Sequence, residues 1–274
     1  MWAKALLTAL CLLMIVLAIQ FDPSRSRSLL GAGARDGPHL RLLTWNIGYA
    51  ELEDDSRAHT KDLRAVADTI LSNDPDAVAL QELTGGEQLR ILLGYLQHRY
   101  QGAVVTTGDS DRFEAVLVKG SAHFENLSAE KKYAVAATFR LQPKLPPIVF
   151  VSAHADAFKA ERRRVFTGDV VDWARTRPNG SMVFIAGDFN FELRATDESH
   201  LHTDNLKNDS EAYSYALKYF RDLGRDAGYT AVDDRRIDYI FGPPESVALR
   251  RAEVLRDAAV GQMDHWPVLI ELAL

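Results

Sequence analysis

The sequence of 274 residues contains a single cysteine, Cys11, which excludes an internal disulfide and a zinc site built from cysteines. It also lacks the HExxH pattern of zinc proteases, the GxxxxGK[ST] loop of P-loop NTPases and the Gly-x-Ser-x-Gly turn of serine hydrolases. Any metal must therefore be held by carboxylates, amides or imidazoles. Hydrophobic residues make up 47% of the chain and charged residues 26%, which is typical of a globular protein and excludes a disordered or fibrous one.

Acidic residues outnumber basic residues in most of the chain. The formal net charge is −6, and because residues 1–35 carry +3, residues 36–274 carry −9. A protein that binds long nucleic acids through many phosphate contacts usually has an excess of basic residues. The composition therefore disfavours a long nucleic acid as ligand, although a local basic groove could still exist.

The sequence has one long hydrophobic run, Ala5–Ile19, which is interrupted only by Thr8. As a helix it would span about 22 Å, less than the roughly 30 Å hydrocarbon core of a bilayer. No good cleavage site follows it, because glutamine stands at position 20 where a small residue is required. We interpret residues 1–21 as a signal anchor or signal peptide and residues 22–38, rich in Ser, Gly, Arg and Pro, as a flexible tether. A membrane-anchored or secreted, extracytoplasmic protein is expected.

From residue 39 onward, short β-rich runs alternate with helical stretches, which predicts one α/β or α+β sandwich domain over 39–274. Strands are predicted over 40–47, 76–81, 113–120, 133–141, 147–154, 181–189 and 236–241, with further strands over 254–257 and 266–274. Helices are predicted over 59–72, 87–97, 157–175 and 211–223, and the polar segment 192–210 is predicted to be a surface loop.

Polar side chains stand where the apolar strands end or begin. Each could be structural, as a turn former, a cap or a buried histidine with a partner. Together they are hard to explain as structure alone, because every buried polar group needs a partner. Carboxylates and amides suit Mg²⁺ or Mn²⁺, and a cation with a His–Asp pair fits hydrolysis of a phosphate ester by an activated water. The residues are Asn46, Gln81, Glu82, His154, Asp188, Asn190, Asp238, Asp264 and His265.

Six motifs containing these residues resemble, in order and spacing, those of the endonuclease/exonuclease/phosphatase superfamily, which has the DNase I-like fold. They cover the chain from about residue 40 to its end. The resemblance implies a four-layer αββα sandwich, in which two mixed β-sheets pack face to face with helices outside and the active site lies at one edge. The motifs are TWNIG (44–48), VALQEL (78–83), SAHADAF (152–158), IAGDFNFE (185–192), RRIDYIF (235–241) and MDHWPV (263–268).

The resemblance also implies a role for each matching residue. Glu82, Asn46 and Asp264 correspond to residues that hold the metal or help to position it. Asp188 and Asn190 correspond to the GDxN pair, which contacts the phosphate, the metal or the leaving group.

The remaining matches concern the two histidines. Asp238 and His265 resemble a dyad in which the carboxylate orients the imidazole and raises its basicity. His154 resembles a second histidine that stabilises the phosphoryl oxygens. Glu114 could orient His154 or be an ordinary solvated strand residue. Arg162, Arg163 and Arg164 could reach a phosphate, but the favoured interpretation is a basic turn on a solvated helix face.

The resemblance implies a phosphodiester hydrolase that requires Mg²⁺ (or Mn²⁺). Its expected substrate is a nucleic acid or a phospholipid headgroup such as that of sphingomyelin, so the activity would be nuclease-like or sphingomyelinase-like. The chain lacks the WNxNG pattern of the abasic-site endonucleases, which disfavours a role in DNA repair. The alternative is a non-catalytic binding module that retains the fold. A monomer is expected, in contact with the membrane through the N-terminal apolar segment.

Overall fold

The computed structural model describes residues 37–48, 56–106, 112–129, 132–193, 202–244, 247–258 and 263–274. The predicted signal segment, 1–21, and all but the last two residues of the predicted tether, 22–38, lie outside this part of the chain. Among the described residues, no helix is both long and apolar enough to cross a membrane.

Twelve strands and four α-helices form within the described residues. The strands are β1 (His39–Asn46), β2 (Ala77–Leu83), β3 (Tyr100–Thr106), β4 (Phe113–Lys119), β5 (Ala122–Ala129), β6 (Lys132–Phe139), β7 (Ile148–His154), β8 (Met182–Asp188), β9 (Arg221–Asp222), β10 (Asp238–Gly242), β11 (Ala248–Val254) and β12 (Val268–Ala273). The helices are α1 (Ser56–Asn73), α2 (Gly86–Tyr95), α3 (Ala160–Arg175) and α4 (Leu206–Leu217).

The strands form two six-stranded sheets, with the orders β11-β12-β1-β2-β4-β3 and β5-β6-β7-β8-β10-β9. Each sheet is mixed, because β1 and β2 pair in parallel in the first sheet and β7 and β8 in the second, whereas their outer neighbours are antiparallel. The carboxyl ends of β1, β2, β7 and β8 carry four of the residues predicted to form the site, Asn46, Glu82, His154 and Asp188.

Successive side chains of a strand point to opposite faces of its sheet, so apolar residues on both faces can pack against a layer on each side. In β1, Leu40 and Leu42 pack in a core between the sheets with Phe150 of β7. Leu43 and Trp45 point the other way, into a cluster with residues of α1 and α2. Residues on the outer face of the second sheet pack in the same manner against α3 and α4. Burial of each large apolar side chain contributes about 1.5–3 kcal/mol. The predicted αββα sandwich is therefore confirmed.

Several predicted element boundaries are wrong. The strands β3, β5 and β9 were not predicted; each lies at one edge of its sheet, and most side chains of β3 and β5 are exposed or only partly buried, so few of their positions need to be apolar. The strand predicted over 254–257 lies at 248–254 and is followed by a short 3-10 helix, Arg256–Ala258. The helix predicted over 211–223 is α4, which begins at Leu206 inside the predicted loop, and the chain turns into β9 after it.

The basic turn predicted on a solvated helix face is also wrong at one position of α3. Arg163 is fully buried and forms a bidentate ion pair with Asp209 of α4, which is buried as well. Its neighbours Arg162 and Arg164 are partly exposed and pair with Asp156 and Glu161. Sequence alone cannot distinguish the three arginines, because the partner of Arg163 lies 46 residues away.

Candidate active site

The core-facing positions of three strands change from apolar to polar toward the same edge of the sandwich. Because alternate residues of a strand face the same side, each of these series points into the space between the sheets. The core therefore ends in a polar cluster at this edge. The series are Leu40, Leu42, Thr44, Asn46 in β1, Ile148, Phe150, Ser152, His154 in β7, and Met182, Phe184, Ala186, Asp188 in β8.

Asp188 lies at the centre of the cluster. In the strand register it pairs with His154 on β7 and with Asp238 on β10, and directly paired residues present their side chains on the same face. Asn46 donates a hydrogen bond from Nδ2 to Asp188 Oδ2 across the two sheets, at 3.1 Å. The His154 Nε2 atom lies 3.6 Å from the same oxygen.

His265 joins this cluster from the segment before β12. Its Nδ1 atom lies 2.9 Å from Asp238 Oδ2, within hydrogen-bond distance, and its Nε2 atom lies 3.7 Å from Asp188 Oδ2. The Trp45 indole donates to the carbonyl oxygen of His265 at 3.2 Å, which fixes the backbone beneath the ring. The imidazole is thus anchored at one nitrogen and directed at Asp188 with the other.

Thr230 connects the segments that carry the Asp238–His265 pair. Its Oγ1 atom accepts hydrogen bonds from the amides of Ile237 and Asp238, at 3.1 and 3.0 Å, and its carbonyl accepts from the amide of Trp266 at 2.8 Å. The sequence gives no indication of this role, because a threonine in a polar loop is also an ordinary surface residue.

Burial and charge act against each other at the centre of the site. Burial raises the pKa of Asp188, and the neighbouring carboxylate of Asp238 raises it further, against the lowering effect of His265. Burial lowers the pKa of His265, but Asp238 and Asp188 outweigh this effect and raise it above its ordinary value. The cluster therefore favours positive charge at its centre.

Glu82 reaches the cluster because β2 is irregular at that point. Its backbone is left-handed, with φ of 59°, and the β2–β4 register shifts between Leu80 and Leu83. Regular alternation would direct the even-numbered position toward the helices, but the Glu82 Oε1 atom lies 3.7 Å from His154 Nε2. It also accepts a hydrogen bond from Arg112 Nη1 at 2.7 Å. A left-handed non-glycine residue is often found at functional sites.

Glu114 is fully buried, so the interpretation as a solvated strand residue is wrong. Its Oε1 atom lies 3.4 Å from His154 Nδ1, on the side of the ring opposite Glu82. His154 is therefore placed between two carboxylates and beside a third, that of Asp188.

Asn190 and Asp264 complete the predicted set. The Asn190 backbone is also left-handed, with φ of 52°, and its amide donates to Asp188 Oδ1 at 3.0 Å. Two buried side-chain atoms, Asn190 Nδ2 and Asp238 Oδ1, have no hydrogen-bond partner within the described parts of the chain. Asp264 is 62% exposed at the rim, with Oδ1 3.9 Å from His265 Nε2.

The structure brings together the eight residues that the resemblance assigns to the metal, the dyad or the phosphate, each within 4.0 Å of another member of the set: Asn46, Glu82, His154, Asp188, Asn190, Asp238, Asp264 and His265. Asp188, Asp238 and His265 each offer an atom that could ligate a metal, and these atoms lie within 4.8 Å of one another. The sequence-based assignment places the metal on Glu82, Asn46 and Asp264, and this assignment stays a prediction.

The chain is similar to known proteins in sequence pattern and in fold. The family model described as "Endonuclease/Exonuclease/phosphatase family" matches residues 43–265. No curated protein sequence matches the chain.

Three solved structures show the same fold. A Bacteroides vulgatus endonuclease/exonuclease/phosphatase is 21% identical, covers 86% of this chain and 99% of its own, and has a TM-score of 0.67. The human Nocturnin catalytic domain with a bound sulfate anion is 19% identical, with coverages of 86% and 95% and a TM-score of 0.64. A Bacteroides thetaiotaomicron mannosyl-6-phosphatase is 18% identical, with coverages of 86% and 100% and a TM-score of 0.64.

Proposed function

The chain belongs to the endonuclease/exonuclease/phosphatase family, and from this premise we propose that it is a divalent-metal-dependent phosphoester hydrolase whose active site is the cluster around Asp188. The observation that carries the proposal is the buried Asp238–His265 pair directed at Asp188. The similarity in fold to a mannosyl-6-phosphatase, and to Nocturnin with a bound sulfate, supports a tetrahedral oxyanion as the group that is recognised.

The residues present fit a hard divalent cation. Asp238 offers a buried carboxylate oxygen without a hydrogen-bond partner in the described part of the chain, and Asp188 and Glu82 offer further carboxylates. Asn46 supplies an amide beside Asp188, and its neutral oxygen, which accepts a hydrogen bond from the Gly48 amide, has a second lone pair. Carboxylate and amide oxygens are the ligands that Mg²⁺ and Mn²⁺ prefer. Such a cation would polarise a phosphoryl oxygen and favour the ionised form of Asp188 and the neutral form of His265.

In the proposed reaction, a water attacks phosphorus while His265 Nε2 accepts the proton that the water loses. Asp238 holds the opposite nitrogen, Nδ1, as a donor, so that Nε2 is the acceptor. The P–O bond to the leaving group breaks and its electron pair remains on the leaving oxygen. His154 and Asn190 Nδ2, which has no hydrogen-bond partner among the described residues, are placed to donate hydrogen bonds to phosphoryl oxygens as negative charge develops there.

We propose a phosphodiester as substrate, from a nucleic acid or a phospholipid headgroup, and an exported or membrane-tethered protein. The net charge of −9 over residues 36–274 and the apolar run Ala5–Ile19 favour a lipid or small phosphoester over a long nucleic acid.

The test is hydrolysis by the purified chain of DNA, RNA, sphingomyelin, phosphoinositides and nucleotides, with Mg²⁺, with Mn²⁺ and with a chelator. We expect metal-dependent hydrolysis of at least one class and a loss of about 10²-fold or more in Asp188→Asn. Glu161→Gln, an exposed acid on α3, is the control and should retain full activity. Absence of hydrolysis over the whole panel, or equal activity in the chelator, contradicts the proposal.

A further inference from the structure

A buried ion pair lies behind the candidate active site, between α3 and α4. The guanidinium of Arg163 donates from Nε and Nη2 to the two carboxylate oxygens of Asp209, at 2.7 and 2.9 Å. The same Nη2 donates to Thr203 Oγ1 at 2.6 Å, and Nη1 donates to the carbonyl oxygen of Asp156 at 3.0 Å. Both charged residues are fully buried, and neither belongs to the catalytic cluster.

These hydrogen bonds reach both chain segments that leave the active site on the second sheet. The carbonyl of Asp156 stands two residues after His154, the last residue of β7. Asp209 Oδ2 also accepts from the amide of Glu192 at 3.1 Å, and this amide stands two residues after Asn190. One ion pair therefore fixes the backbone just beyond His154 and the backbone just beyond Asn190 relative to each other.

Stability alone is a weak explanation for such a pair. Removing two charges from water is costly, and well-packed apolar residues at the positions of a buried ion pair are often as stable or more so. Apolar residues could not form hydrogen bonds to two separate backbone segments. The guanidinium of Arg163 can, because it bonds Asp209 bidentately and still has a donor for the carbonyl of Asp156.

We propose that Arg163 and Asp209 are positioning residues of the active site, which align His154 and Asn190 with the phosphoryl group. The proposal rests on the proposed function, in which these two residues contact the phosphoryl oxygens. A displacement of about 1 Å in catalytic groups costs up to roughly 10²-fold in rate. Loss of the pair should therefore lower kcat by about 10- to 100-fold. KM should change little, because the two residues act mainly on the charge that develops in the transition state.

The experiment compares the wild type with Arg163→Met/Asp209→Leu, which removes both charges together and leaves neither buried without a partner. The matched control is Arg164→Met on the same helix, where the arginine is partly exposed and pairs with its helical neighbour Glu161. The measurements are kcat, KM, the pH profile of kcat and Tm. The double variant should show the loss in kcat, with KM within about threefold of the wild type and an unshifted pH profile, whereas the control should match the wild type in all four.

A folded double variant with the kcat of the wild type overturns the proposal, whether or not its Tm is lower. If the double variant does not unfold cooperatively, the proposal is tested with Arg163→Lys instead. This variant keeps the positive charge but cannot bond Asp209 bidentately. Arg163→Lys should lose kcat with KM preserved, and an unchanged kcat overturns the proposal. A wild type that hydrolyses no phosphoester refutes the proposed function and this inference with it, whereas an active wild type with an equally active double variant refutes the inference alone.

Discussion

Replacement of Gly187 by alanine should be among the most damaging single-methyl changes in the protein. Gly187 precedes Asp188 on β8 and pairs with Ala153 on β7, the residue before His154. Its φ of 145° lies in a region that residues with a Cβ rarely adopt. A Cβ at this position would lie 1.8 Å from the carbonyl oxygen of Ala153, whereas real Cβ contacts are essentially never below 3.0 Å. The two strands would therefore have to separate by at least 1.2 Å.

Overpacking and backbone strain each cost about 1–3 kcal/mol, so Gly187→Ala should lower the free energy of unfolding by about 2–6 kcal/mol. Because the forced shift lies between His154 and Asp188, kcat should also fall by roughly 10²-fold. Urea unfolding and steady-state kinetics measure the two effects. Gly168→Ala is the control, since no atom of the described residues outside the helix's own backbone lies within 4 Å of a Cβ added at the helical Gly168. This variant should be more stable than the wild type by about 0.5–1 kcal/mol. A Gly187→Ala protein within about 0.5 kcal/mol of the wild type would refute the reasoning.

Three further outcomes are expected. Glu82→Gln should weaken Mg²⁺ binding in isothermal titration, because the ligand loses its charge while the side chain keeps its shape. An unchanged affinity would show that Glu82 is not a ligand of the cation. Thr230→Val should lower the free energy of unfolding by about 1–3 kcal/mol in urea unfolding, because the amides of Ile237 and Asp238 lose their acceptor. Thr230→Ser keeps the hydroxyl and should be close to the wild type in stability. Equal stability of the two variants contradicts the role of Thr230 as acceptor. If Ala5–Ile19 is an uncleaved anchor, the protein should stay in the membrane pellet at high salt and alkaline pH, and a mature start near residues 20–36 found by mass spectrometry would refute the anchor.

The proximity of several candidate site residues is predictable from the sequence. Asn46, His154 and Asp188 each follow an apolar run with strand alternation, and the edge where such runs end is where their side chains meet. The layer order was predictable only through the resemblance to a family. Alternation identifies the two faces of a strand, but it does not identify what packs against each face.

The contacts that complete the site were not predictable, because they depend on tertiary register and on local departures from regular structure. Glu82 faces His154 only through a register shift and a left-handed backbone. Arg112 and Thr230 contact the site from loops, where sequence spacing carries no information on direction. Arg163 appears in a run of three arginines that resembles a solvated helix face, and its burial follows from a partner on another helix.

In the proposed mechanism, Asp238 and His265 act together as the base of a phosphoester hydrolase. Measurement of kcat and Tm for His265→Ala, Asp238→Asn and the double variant tests this role. His265→Ala should lose about 10²–10⁴-fold in kcat, and Asp238→Asn should lose a substantial part of that, because an amide can hold the ring in the wrong tautomer. The double variant should lose far less than the product of the single losses, since the two residues act as a unit. Full turnover by a well-folded His265→Ala protein would contradict the account.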